Sequence, residues 1–124
     1  MALEPAKVIP TYNSFLIDKI NRIYDSWDEG NPEMALMRAL RLVVFLPREL
    51  KAKLEGKQAE IMKDLKVAYA KEDVDWFTTQ RTRNRVAKQI SILHLEPFID
   101  EMTTWLDQRG YFEEQRRVVP VGNE

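Results

Sequence analysis

The chain contains no cysteine and one histidine, His94. Without thiols there is no disulfide scaffold, thiolate zinc site, iron–sulfur cluster or cysteine nucleophile. A lone imidazole also excludes a multi-histidine metal site within one chain. Glycine is sparse: the four glycines stand far apart, so no glycine-rich phosphate loop exists and a Walker-type nucleotide site is excluded. The longest uninterrupted apolar run, Leu42 to Leu46, falls far below the roughly 20 residues that span a bilayer. The stretch from Met1 to Pro10 lacks a basic flank followed by an apolar segment, so no signal peptide, no membrane partner and a cytoplasmic location are expected. Charge of one sign is missing too, with 19 Lys+Arg against 20 Asp+Glu.

What is present is globular: 44% of residues are hydrophobic and 31% charged, over a length of 124 that suits one domain. No run alternates with the period of a sheet, whereas helical spacing recurs throughout. The expected fold class is therefore all-α, a compact bundle of four to five helices with a central apolar helix at 32–46. The whole of 1–124 reads as a single α-helical domain, with 1–11 a loose leader and 113–124 a flexible tail.

A first helix, capped by Thr11 or Asn13 and running to about Glu29, carries Leu16, Ile20, Ile23, Tyr24 and Trp27 on one face. Gly30 stops it, and Asn31-Pro32-Glu33 restarts the chain with a cap, a first-position proline and a first-turn acid. Between Met34 and Leu46 only Arg38 and Arg41 are polar, so the second helix should be enclosed by its neighbours. Each large apolar side chain buried there contributes about 1.5–3 kcal/mol before entropy is subtracted. A third helix, Glu49 to Lys71, places Leu50, Leu54, Ile61, Leu65 and Ala68 on one side, interrupted by Gln58 and by Gly56, which marks a break or a close crossing. A fourth starts near Glu72-Asp73, turns Val86, Ile90 and Leu93 inward and ends before Pro97. A fifth, from about Glu96 to Gln108, presents Phe98, Ile99, Met102, Trp105 and Leu106. The spacing of Gly30, Ala35 and Pro47 resembles that of a tetratricopeptide repeat. Lys19, Arg22 and Ile23 stand where that repeat has its anchors and no second copy follows, so no family is recognised.

Few groups carry chemistry. His94 with Ser91 three residues before it lacks the nucleophile turn of a hydrolase, and reads as a packed histidine at the edge of an apolar face. Asp25, Asp28, Glu29 and Glu33 gather around the first turn, but without a calcium-loop pattern. Arg38 or Arg41, or an arginine from another helix or subunit, is expected beside them rather than a metal, because acids at a helix end face the negative pole of the dipole. No catalytic residue, metal or cofactor is assigned, and the chain is not read as an enzyme.

The best functional lead is basic. From Thr78 to Leu95 stand Arg81, Arg83, Arg85 and Lys88 and no acid. Arg81, Arg85 and Lys88 share one helical face with Asn84 at its edge and Ile92 displaced onto it, so these five are the candidate partner- or phosphate-contacting residues. Phosphate contact is the nucleic-acid alternative, DNA or RNA. Against it, Glu96 to Glu114 holds six acids and one arginine, and the pI is 5.9, where nucleic-acid-binding domains commonly exceed about 9. Charge pairing within or between subunits accounts for both stretches. Arg83 projects away from the other cations and is expected to form an ion pair with Asp100 or Glu101 on the following helix. The apolar second helix, the heptad-like third and the displaced Ile92 offer more apolar surface than a small monomer hides. The expected function is a self-associating interaction or assembly module, a homodimer or a binder of another protein.

Overall fold

A computed structural model describes residues 12–75 and 77–112. Among the described residues four α-helices follow one another: α1 (Tyr12–Asp28), α2 (Pro32–Leu42), α3 (Arg48–Lys71) and α4 (Gln80–Gln108), with a 3-10 turn at Val43–Phe45. Among the described residues there is no strand. The fold is an all-α bundle. The expected leader (1–11) and tail (113–124) lie outside the described residues, as does the side chain of Trp76.

Local chemistry sets the first hairpin. Gly30 takes φ +79°, a conformation that side-chain-bearing residues rarely adopt, and so ends α1. Asn31 then caps α2, its side chain accepting from the Met34 amide at 3.2 Å, with Pro32 in the first turn. α2 lies against α1 and α4, while α3 lies against α4 and the 3-10 turn. One apolar cluster joins Leu16 and Ile23 of α1, Leu36 and Leu40 of α2, Leu50 and Leu54 of α3, and Phe98 and Met102 of α4.

The central helix is enclosed less completely than its composition predicts. Leu36 and Leu40 are buried, but Val44 is 63% exposed and Phe45 45% exposed. The α-helix ends at Leu42, and the tighter 3-10 turn brings Val44 and Phe45 to the surface. Phe45 there packs edge-on against Phe15, ring centroids 5.2 Å apart. Gln58, the polar member of the α3 seam, donates to the Leu40 carbonyl at 2.8 Å and so satisfies an acceptor in the last turn of α2. Gly56 does not break α3, and among the described residues it marks no crossing: a Cβ there meets none of their atoms within 4 Å.

The largest departure is at α4. The expected fourth and fifth helices are one helix of 29 residues that passes through Pro97. It starts at Gln80, capped by Thr79, not near Glu72-Asp73. Proline removes the hydrogen bond to the carbonyl four residues back, here that of Leu93. Leu93 is 66% exposed and Pro97 is exposed, so water can reach that carbonyl and the helix continues. The same geometry corrects the expected core. Val86 and Ile90 are buried as expected, as are Phe98, Ile99, Met102, Trp105 and Leu106, but Leu93 faces solvent and Ala87 and Leu95 join the interior in its place.

Candidate functional site

α1 and α4 leave a groove between them in two adjoining parts that share Trp27. One part, of about 590 Å³, is lined by Trp27, Gly30, Pro32, Arg81, Asn84, Arg85 and Lys88. The other, of about 390 Å³, runs on past Tyr24 and Ile92 to Glu96 and Asp100. The groove is thus basic at the start of α4, apolar in the middle and acidic farther along.

Four of the five candidate contact residues line the first part, and Ile92 lines the second. Arg81 and Lys88 are exposed and make no ion pair among the described residues. Arg85 Nη2 donates to Glu72 at 2.8 Å, an exposed pair at the surface. Asn84 turns partly inward: its Oδ1 accepts from the Glu33 amide at 3.2 Å and from Gln80 Nε2 at 3.3 Å. Ile92 is 65% exposed, and among the described residues no helix folds back over it.

Arg83 does form an ion pair, but with Glu33 of α2. Its Nε lies 2.9 Å from Glu33 Oε2 and 3.1 Å from Oε1. The expected partners, Asp100 and Glu101, sit 17 and 18 residues farther along the same helix, about 26 Å away at 1.5 Å per residue. Tyr69 and Gln80 also donate to Glu33, and the Arg83 guanidinium lies 5.3 Å from the Tyr69 ring centre. Burial pushes the Glu33 carboxyl upward, but hydrogen bonds from Arg83, Tyr69 and Gln80 outweigh it and hold the pKa below the usual carboxylate value. Burial, followed by the bond to Glu33, raises the Tyr69 phenol.

Among the described residues neither Arg38 nor Arg41 forms an ion pair with Asp25, Asp28 or Glu29. Arg38 Nη1 donates to Ser26 Oγ at 2.7 Å and to the Arg22 carbonyl at 3.3 Å, supplying a cation near the C-terminal end of α1. His94 Nε2 lies 2.9 Å from Asp64 Oδ2 of α3. Ser91 does not meet it: the Ser91 hydroxyl is buried without a hydrogen-bond partner among the described residues, so no nucleophile–base contact exists between the two. Among the described residues no group of three or more Asp, Glu or His is arranged to hold a metal ion, and no helix is long and apolar enough to cross a membrane.

Sequence reasoning missed Glu96, Asp100 and Leu93 as part of this face. Their spacing from Arg85 and Ile92 is helical throughout, and only the reading of Pro97 as a terminator hid it. Burial first, then the charges of Asp100 and Glu96, raises the Tyr24 phenol, so the acidic end of the groove reaches across to α1. No family model matches the chain, and no curated protein or solved structure matches it.

Proposed function

We propose that this chain is a non-enzymatic assembly module that self-associates through the α4 side of the α1–α4 groove. The observation that carries the reading is the pair Ile92 and Leu93, 65% and 66% exposed and adjacent on α4. Tyr24, 47% exposed, and Trp27 flank Ile92 in the groove. Charged side chains stand at both ends of this patch, so the face has an apolar centre and a polar rim, the usual anatomy of a protein–protein interface. The centre supplies affinity by removing apolar surface from water, and the rim sets orientation.

A nucleic-acid role rests on Arg81 and Lys88, which are exposed and unpaired among the described residues. Glu96 and Asp100 on the same groove repel a phosphate backbone, and Asn84 and Arg85 already bond within the chain. Self-association is therefore preferred. Sedimentation velocity at two concentrations, with and without duplex DNA, separates the readings. The expected result is a species of twice the monomer mass that grows with concentration and ignores DNA. A monomer at both concentrations overturns the proposal. Co-sedimentation with DNA that falls steeply with salt installs the nucleic-acid reading in its place.

A further inference from the structure

The exposed stripe of α4 has an internal order. Thr82, Arg85, Gln89, Ile92, Glu96, Asp100 and Thr103 recur three or four residues apart, which keeps them on one side of the helix. Arg85, Gln89, Ile92, Leu93, Glu96 and Asp100 are all exposed. Counted outward from the midpoint between Ile92 and Leu93, the stripe is its own complement. Ile92 mirrors Leu93, Gln89 mirrors Glu96, Arg85 mirrors Asp100 and Thr82 mirrors Thr103. The mirrored positions lie about 1, 5, 11 and 16 Å from the midpoint at 1.5 Å per residue.

We propose that the occupant of this face is a second copy of the chain, docked antiparallel, α4 against α4, on a two-fold axis that passes between Ile92 and Leu93. The inference rests on the self-association proposed above and adds its geometry. Under that two-fold, Ile92 of one copy meets Leu93 of the other at the centre. Arg85 comes level with Asp100 of the second copy, and Gln89 comes level with Glu96. Lys88 stands about 7 Å from the axis on one side and Glu96 about 5 Å on the other, so this ammonium, without an ion pair among the described residues, also reaches an acid of the second copy. Each contact occurs twice, as a closed two-fold interface requires.

Charge decides against the other orientation. In a parallel pair Arg85 faces Arg85 and Asp100 faces Asp100, and the repulsion occurs at both ends of the stripe. The bond of Arg85 to Glu72 is compatible with the antiparallel arrangement. A guanidinium has five N–H donors, and Glu72 engages Nη2 only. Glu72 then orients Arg85 while its remaining donors serve the second copy.

The absence of cysteine makes the test clean, because an introduced thiol is the only one in the chain. Two single variants of the full chain, Ile92→Cys and Arg81→Cys, are treated with a short bis-maleimide above the concentration at which the wild type sediments as a larger species. Position 92 lies next to the axis, so Ile92→Cys links to itself in high yield. The two copies of position 81 lie about 34 Å apart and do not link, although Arg81→Cys mixed with Thr104→Cys does. In parallel, Arg85→Asp with Lys88→Glu weakens self-association by roughly tenfold or more, as does Glu96→Lys with Asp100→Arg, and mixing the two variants restores it. Circular dichroism checks that each variant keeps its helix content.

Self-linking of Arg81→Cys overturns the antiparallel geometry. A larger wild-type species with no linking at position 92 overturns the α4 interface while leaving self-association standing. A wild type that stays monomeric throughout overturns both.

Discussion

Arg83 Nε sits 2.9 Å from Glu33 Oε2 although 50 residues separate the two, and the pair ties the first turn of α4 to the first turn of α2. Glu33 is only 13% exposed and Arg83 30%, so the pair is partly withdrawn from water and screened less than the other ion pairs. Tyr69 from α3 and Gln80 from α4 complete the ring of donors around one carboxylate. Three helices are clamped by a single acid.

That clamp gives stability a defined pH response. The Glu33 pKa is lowered by folding, so its contribution is complete above the unfolded value, about 4.3, and is lost as pH falls through the folded value. The Tyr69 pKa is raised, so its contribution is complete below the unfolded value, about 10, and is lost as pH rises beyond it. Glu33→Gln should cost about 1.5–3 kcal/mol at pH 7, the range for hydrogen bonds to charged groups. Urea unfolding of both proteins from pH 7 down to pH 3 checks this. The gap between them should narrow as the wild-type carboxyl protonates, and a gap that stays constant with pH contradicts the clamp.

Asn84 presents a second consequence of the same junction. Its Oδ1 accepts from the Glu33 amide, one of the first-turn donors of α2 that have no partner within their own helix. Asn84→Ala should therefore cost about 1 kcal/mol of folding stability, the usual loss for a helix cap. Asn84→Asp keeps the acceptor and should cost less. Self-association, read by sedimentation, should be unchanged in both. A loss of association at full stability would return Asn84 to the contact surface.

The first hairpin was legible because its signals are local: Gly30, Asn31 and Pro32 dictate a stop, a cap and a start without reference to anything distant. The faces of α1 and α3 were legible for a similar reason, since helical spacing of Leu16, Ile20 and Ile23 or of Leu50, Leu54, Ile61 and Leu65 survives any packing. The partner of Arg83 was not, because the sequence separation of 50 residues carries no trace of proximity. Nor was α4 as one helix. The cost of a proline depends on whether the carbonyl behind it reaches water, and that is set by the fold. Missing that continuity split the stripe from Arg85 to Asp100 into two unrelated halves, and so concealed its symmetry.

Ser91 offers a substitution that should improve the protein. It is 2% exposed, and its hydroxyl has no hydrogen-bond partner among the described residues. An unsatisfied buried polar group costs about 1–3 kcal/mol, and alanine removes the group while leaving little space behind. Ser91→Ala should raise stability by about 1 kcal/mol, seen as a higher denaturant midpoint with an unchanged slope. A lower midpoint would mean that the hydroxyl is satisfied in solution.

Pro97 provides the sharpest check on the continuity of α4, on which the groove and its charge order depend. A proline inside a helix costs about 3 kcal/mol through the missing N–H and ring crowding, partly offset by about 0.4–1 kcal/mol from the stiffer unfolded chain. Here the offended carbonyl, that of Leu93, belongs to an exposed stretch where water can reach it, so only part of the cost should persist. Pro97→Ala restores the bond and should stabilise the protein by about 1–2 kcal/mol. The new amide at position 97 should also be protected from exchange with solvent, as hydrogen-bonded helical amides are in general. If residues 80–96 and 97–108 were instead two helices folded back on each other, the same substitution would favour fusing them and would lower stability. The sign of the change in denaturant midpoint therefore distinguishes one helix from two. A decrease would separate Arg85 from Asp100 and remove the basis for an antiparallel α4 pair.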